Sequence, residues 1–182
     1  MSKIPVLFTM PDSIYKSLPG TDVYDIERNA LTWNGGSPAV MHPPCRAWSR
    51  LRTFSKHREY EKWLAVWAVR KLRKYGGVLE HPAGSALFSF MRLPPPGLID
   101  RYGGFVFPVD QYWFGHRAKK PTWLYIVGCT PKDLPVFDLV MGTPGFVVQS
   151  KTNKNHISKR ERLATPPPFA EWLLQIVRVI SK

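Results

Sequence analysis

Acidic residues are scarce in this chain. Thirteen Asp and Glu stand against 26 Lys and Arg in 182 residues, giving a formal net charge of +13 and a pI near 10.0. That balance favours polyanions, nucleic acid first and an anionic membrane surface second. Cysteine is nearly absent: Cys45 and Cys129 stand alone, with no Cys-x-x-Cys spacing. Neither a disulfide framework nor a zinc ribbon is expected, and a reducing cytosol is the expected compartment. His42, His81 and His116 have no metal-ligand spacing with one another, so no metal centre is expected. No run approaches the roughly eighteen apolar residues of a membrane helix, and the amino-terminal stretch has no long apolar segment of the signal-peptide kind. A soluble, cytoplasmic protein without a membrane partner is expected. There is no internal repeat.

What is present argues for one folded domain spanning 1–182. Hydrophobic residues make up 44% and aromatic residues 13%, enough for a core and too much for a disordered chain. Most of the eighteen prolines act as punctuation, at Pro43-Pro44, Pro94-Pro95-Pro96 and Pro166-Pro167-Pro168. The cations cluster. Residues 46–74 carry ten Lys and Arg against Glu59 and Glu61, and residues 150–182 carry seven against Glu161 and Glu171, which favours nucleic acid as the partner.

Short apolar runs predict strands at Lys3–Phe8, Asp22–Ile26, Ala39–Met41, Val78–Leu79, Phe105–Val109 and Trp123–Gly128. Ser13 offers a cap for a short helix at Ile14–Leu18. The clearest helix is His57–Tyr75, whose Tyr60, Leu64, Trp67, Ala68, Leu72 and Tyr75 recur at helical spacing as a core stripe, with Gly76-Gly77 as its stop. A short helical piece covers Ala86–Met91. A basic loop occupies about 149–164, and a last helix at about 166–180 presents Phe169, Trp172, Leu173, Ile176, Val177 and Ile180 to the core. Helices recurring between short apolar strands predict a three-layer α/β fold with a mostly parallel sheet.

The chemistry concentrates where strands end. Ala39-Val40-Met41 runs into His42-Pro43-Pro44, because proline donates no ladder hydrogen bond, and Cys45 follows at once. Open α/β sheets bind ligands at carboxyl strand ends, so Cys45 reads as a nucleophile or, equally simply, as a small buried hydrophobe. Glu80 ends a second apolar strand and requires a partner there. Arg50, Arg52, Lys56 and Arg58 follow the candidate site, as phosphate contacts or as a solvated face.

Four motifs in order resemble the cytosine-5 DNA methyltransferases, most closely small phage-encoded methyltransferase-like proteins. Pro43-Pro44-Cys45 resembles their Pro-Cys nucleophile motif, and Glu80-His81-Pro82 their Glu-Asn-Val or Glu-Asn-Pro motif. Phe114-Gly115-His116, leading through Lys119-Lys120-Pro121-Thr122 to Trp123-Leu124, is similar to a third segment. The tail Arg160-Glu161-Arg162, Thr165-Pro166-Pro167 and Phe169-Ala170-Glu171-Trp172-Leu173 is similar to a fourth. The resemblance spans about 22–173. It implies a truncated class I methyltransferase, Rossmann-like fold, with S-adenosylmethionine as cofactor and DNA as partner.

It implies that Cys45 adds as thiolate to C6 of a flipped cytosine, with Arg46 or a following helix N-terminus lowering its pKa. Glu80 holds and protonates N3 of the base. Pro44, Arg46, Arg50, Arg52, His81, His116, Arg117, Lys119 and Lys120 are the implied substrate and DNA contacts. Phe8, Asp22 and Asp25 are the implied donor contacts. The sequence departs from the family where Phe8 is followed by Thr9-Met10-Pro11-Asp12 rather than a Phe-x-Gly-x-Gly turn, and where His81 replaces asparagine. Two other readings stay open: a donor-free base- or nucleotide-modifying enzyme on the same scaffold, and a non-catalytic DNA-binding or counter-restriction protein.

Overall fold

The computed structural model describes residues 2–50, 52–54, 59–148 and 155–182. The strands are β1 (Ile4–Leu7), β2 (Thr21–Tyr24), β3 (Ala39–Met41), β4 (Gly77–Pro82), β5 (Phe105–Asp110), β6 (Ala118–Lys119), β7 (Pro121–Val127) and β8 (Phe146–Val147). The α-helices are α1 (Glu59–Tyr75), α2 (Ala86–Phe90), α3 (Lys159–Leu163) and α4 (Pro167–Ile180). Six strands form one sheet in the order β2-β1-β3-β4-β7-β5, while β6 and β8 pair separately. The ladders β1–β2, β1–β3 and β3–β4 are parallel, whereas β7 runs antiparallel to both β4 and β5. Five of the six strands therefore point the same way, an arrangement compatible with a Rossmann-like fold.

The sheet is mostly parallel, as expected, and β7 is its one reversed strand. β5 reaches β7 through residues 111–120, which hold one 3-10 turn and the two-residue β6 but no crossover helix. An antiparallel partner is what so short a connection allows.

The sheet is the middle of three layers, because strand side chains alternate. Leu7, Met41, Leu79, Tyr125 and Val106 face Ala65, Ala68, Val69 and Leu72 of α1. Val6, Val40, Val78, Leu124 and Ile126 face Phe169, Trp172, Leu173, Ile176 and Val177 of α4. The α4 stripe has the predicted phase. In α1 the buried face is turned instead to Glu61, Ala65, Ala68, Val69 and Leu72, leaving Tyr60 and Trp63 exposed. Small residues let the helix close onto the sheet, and Trp67 and Tyr75 flank that contact against Phe8 and Trp33.

The predicted helix start at His57, the cations Lys56 and Arg58, and residues 149–154 of the basic loop lie outside the described residues. Within the rest of that loop, Ser158 and Glu161 form a capping box that opens α3. The predicted helix after Ser13 is a single 3-10 turn, Ile14–Lys16, with no side-chain cap bond. Among the described residues no helix is long and apolar enough to cross a membrane, and no group of three or more His, Cys, Asp and Glu is placed to hold a metal ion.

Candidate active site

The last rung of β3 is the amide of His42, which donates to the Leu7 carbonyl at 3.0 Å. Pro43 and Pro44 then leave the ladder, and the Cys45 carbonyl accepts from the amides of Trp48 (2.9 Å) and Ser49 (2.8 Å). Cys45 thus opens one helical turn at the carboxyl end of β3. Because β3 and β4 are parallel neighbours, Glu80 emerges from β4 beside it. Strand alternation puts His42 and Glu80 on the α4 side of the sheet and His81 on the α1 side.

Both carboxylate oxygens of Glu80 are held. Oε2 accepts from His42 Nδ1 at 3.2 Å, and Oε1 accepts from the side-chain amide of Gln111 at 3.1 Å. The tautomer of His42 follows from its partners. An ionised carboxylate only accepts, so Nδ1 carries the proton, and Nε2 accepts from the Tyr15 hydroxyl at 3.0 Å. Tyr15 is fully buried, and burial followed by the charge of Glu80 pushes its pKa well above the ordinary phenol value, so it stays a donor. Gln111 donates also to Thr122 Oγ1 at 3.1 Å, and Thr122 in turn donates to the Lys120 carbonyl at 3.0 Å. Tyr15, His42 and Gln111 thus act as one scaffold for the carboxylate.

Burial by itself raises the Glu80 pKa, but the hydrogen bond from His42, with the electrostatic pull of its ring and of Lys120, outweighs it and holds the group at about 2. Glu80 is therefore ionised at neutral pH. Burial, then the charge of Glu80, raises the Cys45 pKa, and the opposing pulls of Lys120 and Arg46 are weaker. This corrects the expectation of a lowered thiol pKa. Arg46 contributes little because its guanidinium is turned to Glu61, at 2.6 Å, in the first turn of α1. Burial lowers the pKa of Lys120, against the raising pull of Glu80 and Cys45, and its ammonium donates to the Ala164 carbonyl at 3.1 Å.

The other implied substrate contacts separate in space. His81 is fully buried, sharing a 2.8 Å hydrogen bond between Nδ1 and Ser85 Oγ, while Nε2 is directed toward the Pro44 backbone. Burial lowers its pKa to about 4, with Glu80 and the Pro44 carbonyl pulling weakly upward. His81 thus braces the Pro44 loop against α2 as a neutral ring and does not face an incoming base. His116 is buried, and its ring nitrogens lie 2.7 and 3.3 Å from the carbonyls of Ala118 and Glu161. Arg117 pairs with Glu161 at 2.7 Å and lies over Phe146, while Lys119, Arg50 and Arg52 are exposed.

The implied donor contacts lie across β1 and β2. Phe8, directly after β1, adopts a left-handed backbone with φ of 63° and packs edge-on against Trp67 at 5.8 Å. A glycine would adopt that φ without strain and leave space; Phe8 fills it. Asp25 at the end of β2 accepts from Lys16 (2.6 Å) and from the amides of Glu27 (2.9 Å) and Arg28 (3.0 Å), and the Lys16 bond leads in lowering its pKa to about 2. Asp22 lies within β2, away from its carboxyl end, and pairs with Arg28. These three residues are committed to packing and pairing and do not fit a nucleoside sulfonium ligand.

Sequence reasoning left Tyr15 and Gln111 out of the site and read His42 only as a hydrogen-bonded structural or substrate-contacting group rather than a metal ligand, without naming its partners. Only Gln111 carried a signal, as a lone amide directly after a strand end. The fold and site define an α/β protein in which Cys45 follows β3 and Glu80 lies within the neighbouring parallel strand β4, just past the end of the ladder that joins them. No protein-family model, curated protein or solved structure matches this chain.

Proposed function

We propose that this chain is a cytosine-5 DNA methyltransferase-like protein that binds an extruded pyrimidine between Cys45 and Glu80. The observation that carries the reading is the pair itself: Cys45 after β3, and on the adjacent strand a carboxylate clamped by His42 and Gln111. A clamped, ionised carboxylate accepts from the exocyclic amine of cytosine and steadies positive charge at N3. The thiol supplies both nucleophile and proton: Sγ bonds to C6, the C5–C6 π pair takes up a proton at C5, and reversal restores the ring. Lys120, near both groups, favours the thiolate when a base displaces water from the site. The net charge of +13 supports DNA as the polymer that carries the base. Because Phe8, Asp22 and Asp25 do not fit S-adenosylmethionine, no methyl-transfer step is assigned, and the donor-free enzyme is the reading those three residues favour.

The test is exchange of the cytosine C5 hydrogen for deuterium in an oligonucleotide incubated with the protein in heavy water. Exchange that disappears in Cys45→Ala, with DNA affinity kept, supports the assignment. No exchange above the protein-free control sinks it in favour of the non-catalytic DNA-binding protein, and exchange unchanged in Cys45→Ala sinks Cys45 as the nucleophile. Calorimetric titration with S-adenosylmethionine, with and without DNA, then separates the two enzymatic readings: micromolar binding restores the donor, and no heat leaves the donor-free enzyme.

A further inference from the structure

The helical turn opened by Cys45 also builds a second feature. Ala47, Trp48, Arg52, Lys62, Ala86 and Phe90 line a cleft of about 400 Å³. Trp48 is its fixed floor: the indole is 3% exposed, its N–H donates to the Lys62 carbonyl at 3.2 Å, and its own carbonyl accepts from Ala86 at 2.9 Å. Phe90 is its wall, tilted against Trp48 with ring centroids 5.1 Å apart, yet 54% exposed. Lys62 stands 6.0 Å over the Trp48 ring and is only loosely held by Glu59, at 3.7 Å. Arg52 completes the rim as a second, exposed cation. Tyr60 (56% exposed) and Trp63 (54% exposed) begin α1 nearby.

A rigid aromatic floor, an exposed aromatic wall and two rim cations match one chemistry: a planar base with its phosphate. We infer that this cleft is a stacking subsite for an unpaired nucleotide of single-stranded DNA flanking the base at Cys45. Stacking on an exposed ring requires an unstacked base, so the cleft selects single strand over duplex. Trp48 lies in the same helical turn as Cys45, its amide donating to the Cys45 carbonyl at 2.9 Å, so cleft and thiol share one short segment after β3. The inference rests on the DNA reading of the Cys45 site, while its test needs no catalysis.

The experiment is fluorescence anisotropy of the full chain with a labelled deoxythymidine 12-mer and with a duplex of equal length, across a salt series. Wild type is expected to prefer the single strand. Phe90→Ala, at an exposed position that leaves the core intact, is expected to weaken single-strand binding about tenfold. Lys62→Gln is expected to reduce the slope of log K against log salt by about 0.7, one phosphate contact. Single-strand binding unaltered in Phe90→Ala overturns the subsite while leaving DNA binding intact, and so does tighter binding of the duplex. No binding of either DNA by wild type overturns both the subsite and the DNA reading.

Discussion

His42 and Glu80 lie 38 residues apart in sequence and meet at 3.2 Å across two parallel strands, Nδ1 to Oε2. Their meeting is set by the β3–β4 register, which pairs Met41 with Leu79 and therefore aligns the residues that follow each. A fully buried tyrosine fixes the imidazole from behind, so the carboxylate is oriented by a chain of three side chains from three elements.

Removing the middle of that chain changes acid stability. The Glu80 pKa is depressed from 4.5 to about 2, so its contribution is fully present above about 4.5 and is lost as pH falls toward 2. In His42→Ala, the carboxylate keeps its burial and loses its main partner. Denaturant unfolding is expected to show a loss on the order of 3 kcal/mol at pH 7, shrinking below pH 4.5 as Glu80 protonates.

His81 titrates in the opposite chemical sense but the same pH direction. Its folded pKa of about 4 lies below the ordinary 6.5, so the unfolded chain binds the extra proton and stability falls as pH drops from 6.5 to 4. His81→Asn keeps a group that reaches Ser85 and removes the titration. Its stability is expected to fall less than wild type between pH 6.5 and 4.5, measured by urea unfolding at half-unit steps.

The thiol of Cys45 answers to Glu80. Neutralising the carboxylate in Glu80→Gln removes the negative neighbour that raises the Cys45 pKa. Alkylation by iodoacetamide at pH 8 is expected to speed up several-fold, read by mass spectrometry of the Cys45 peptide. Cys129, pushed up to about 11 mainly by burial, is the internal slow control.

Gly77 begins β4 with φ of 121°, and a Cβ there would overlap the backbone oxygen and nitrogen of Ala39 on β3. Neither the φ nor the overlap relaxes without parting the two strands that carry the site. Gly77→Ala is expected to cost more than about 3 kcal/mol, seen as a lowered thermal midpoint.

The sequence by itself determined the features that depend on near neighbours. Two prolines had to end β3 at His42, and the apolar phase of 169–180 had to bury Phe169, Trp172 and Leu173. The same local logic placed Cys45 directly past β3, but Glu80, expected to end its strand, is an interior residue of β4, which runs on to Pro82 because β7 pairs with it antiparallel. The rotation of α1 lay beyond it, because large aromatics dominate a periodic pattern while close packing on a sheet selects the alanines. The direction of β7 was decided by how little chain joins it to β5. The partners of Glu80 were decided by topology alone: Tyr15 sits 27 residues before His42, and Gln111 sits 31 after Glu80. Periodicity encodes which side of an element is apolar, but pairing between distant polar groups exists only once strand order and register bring them within a hydrogen bond.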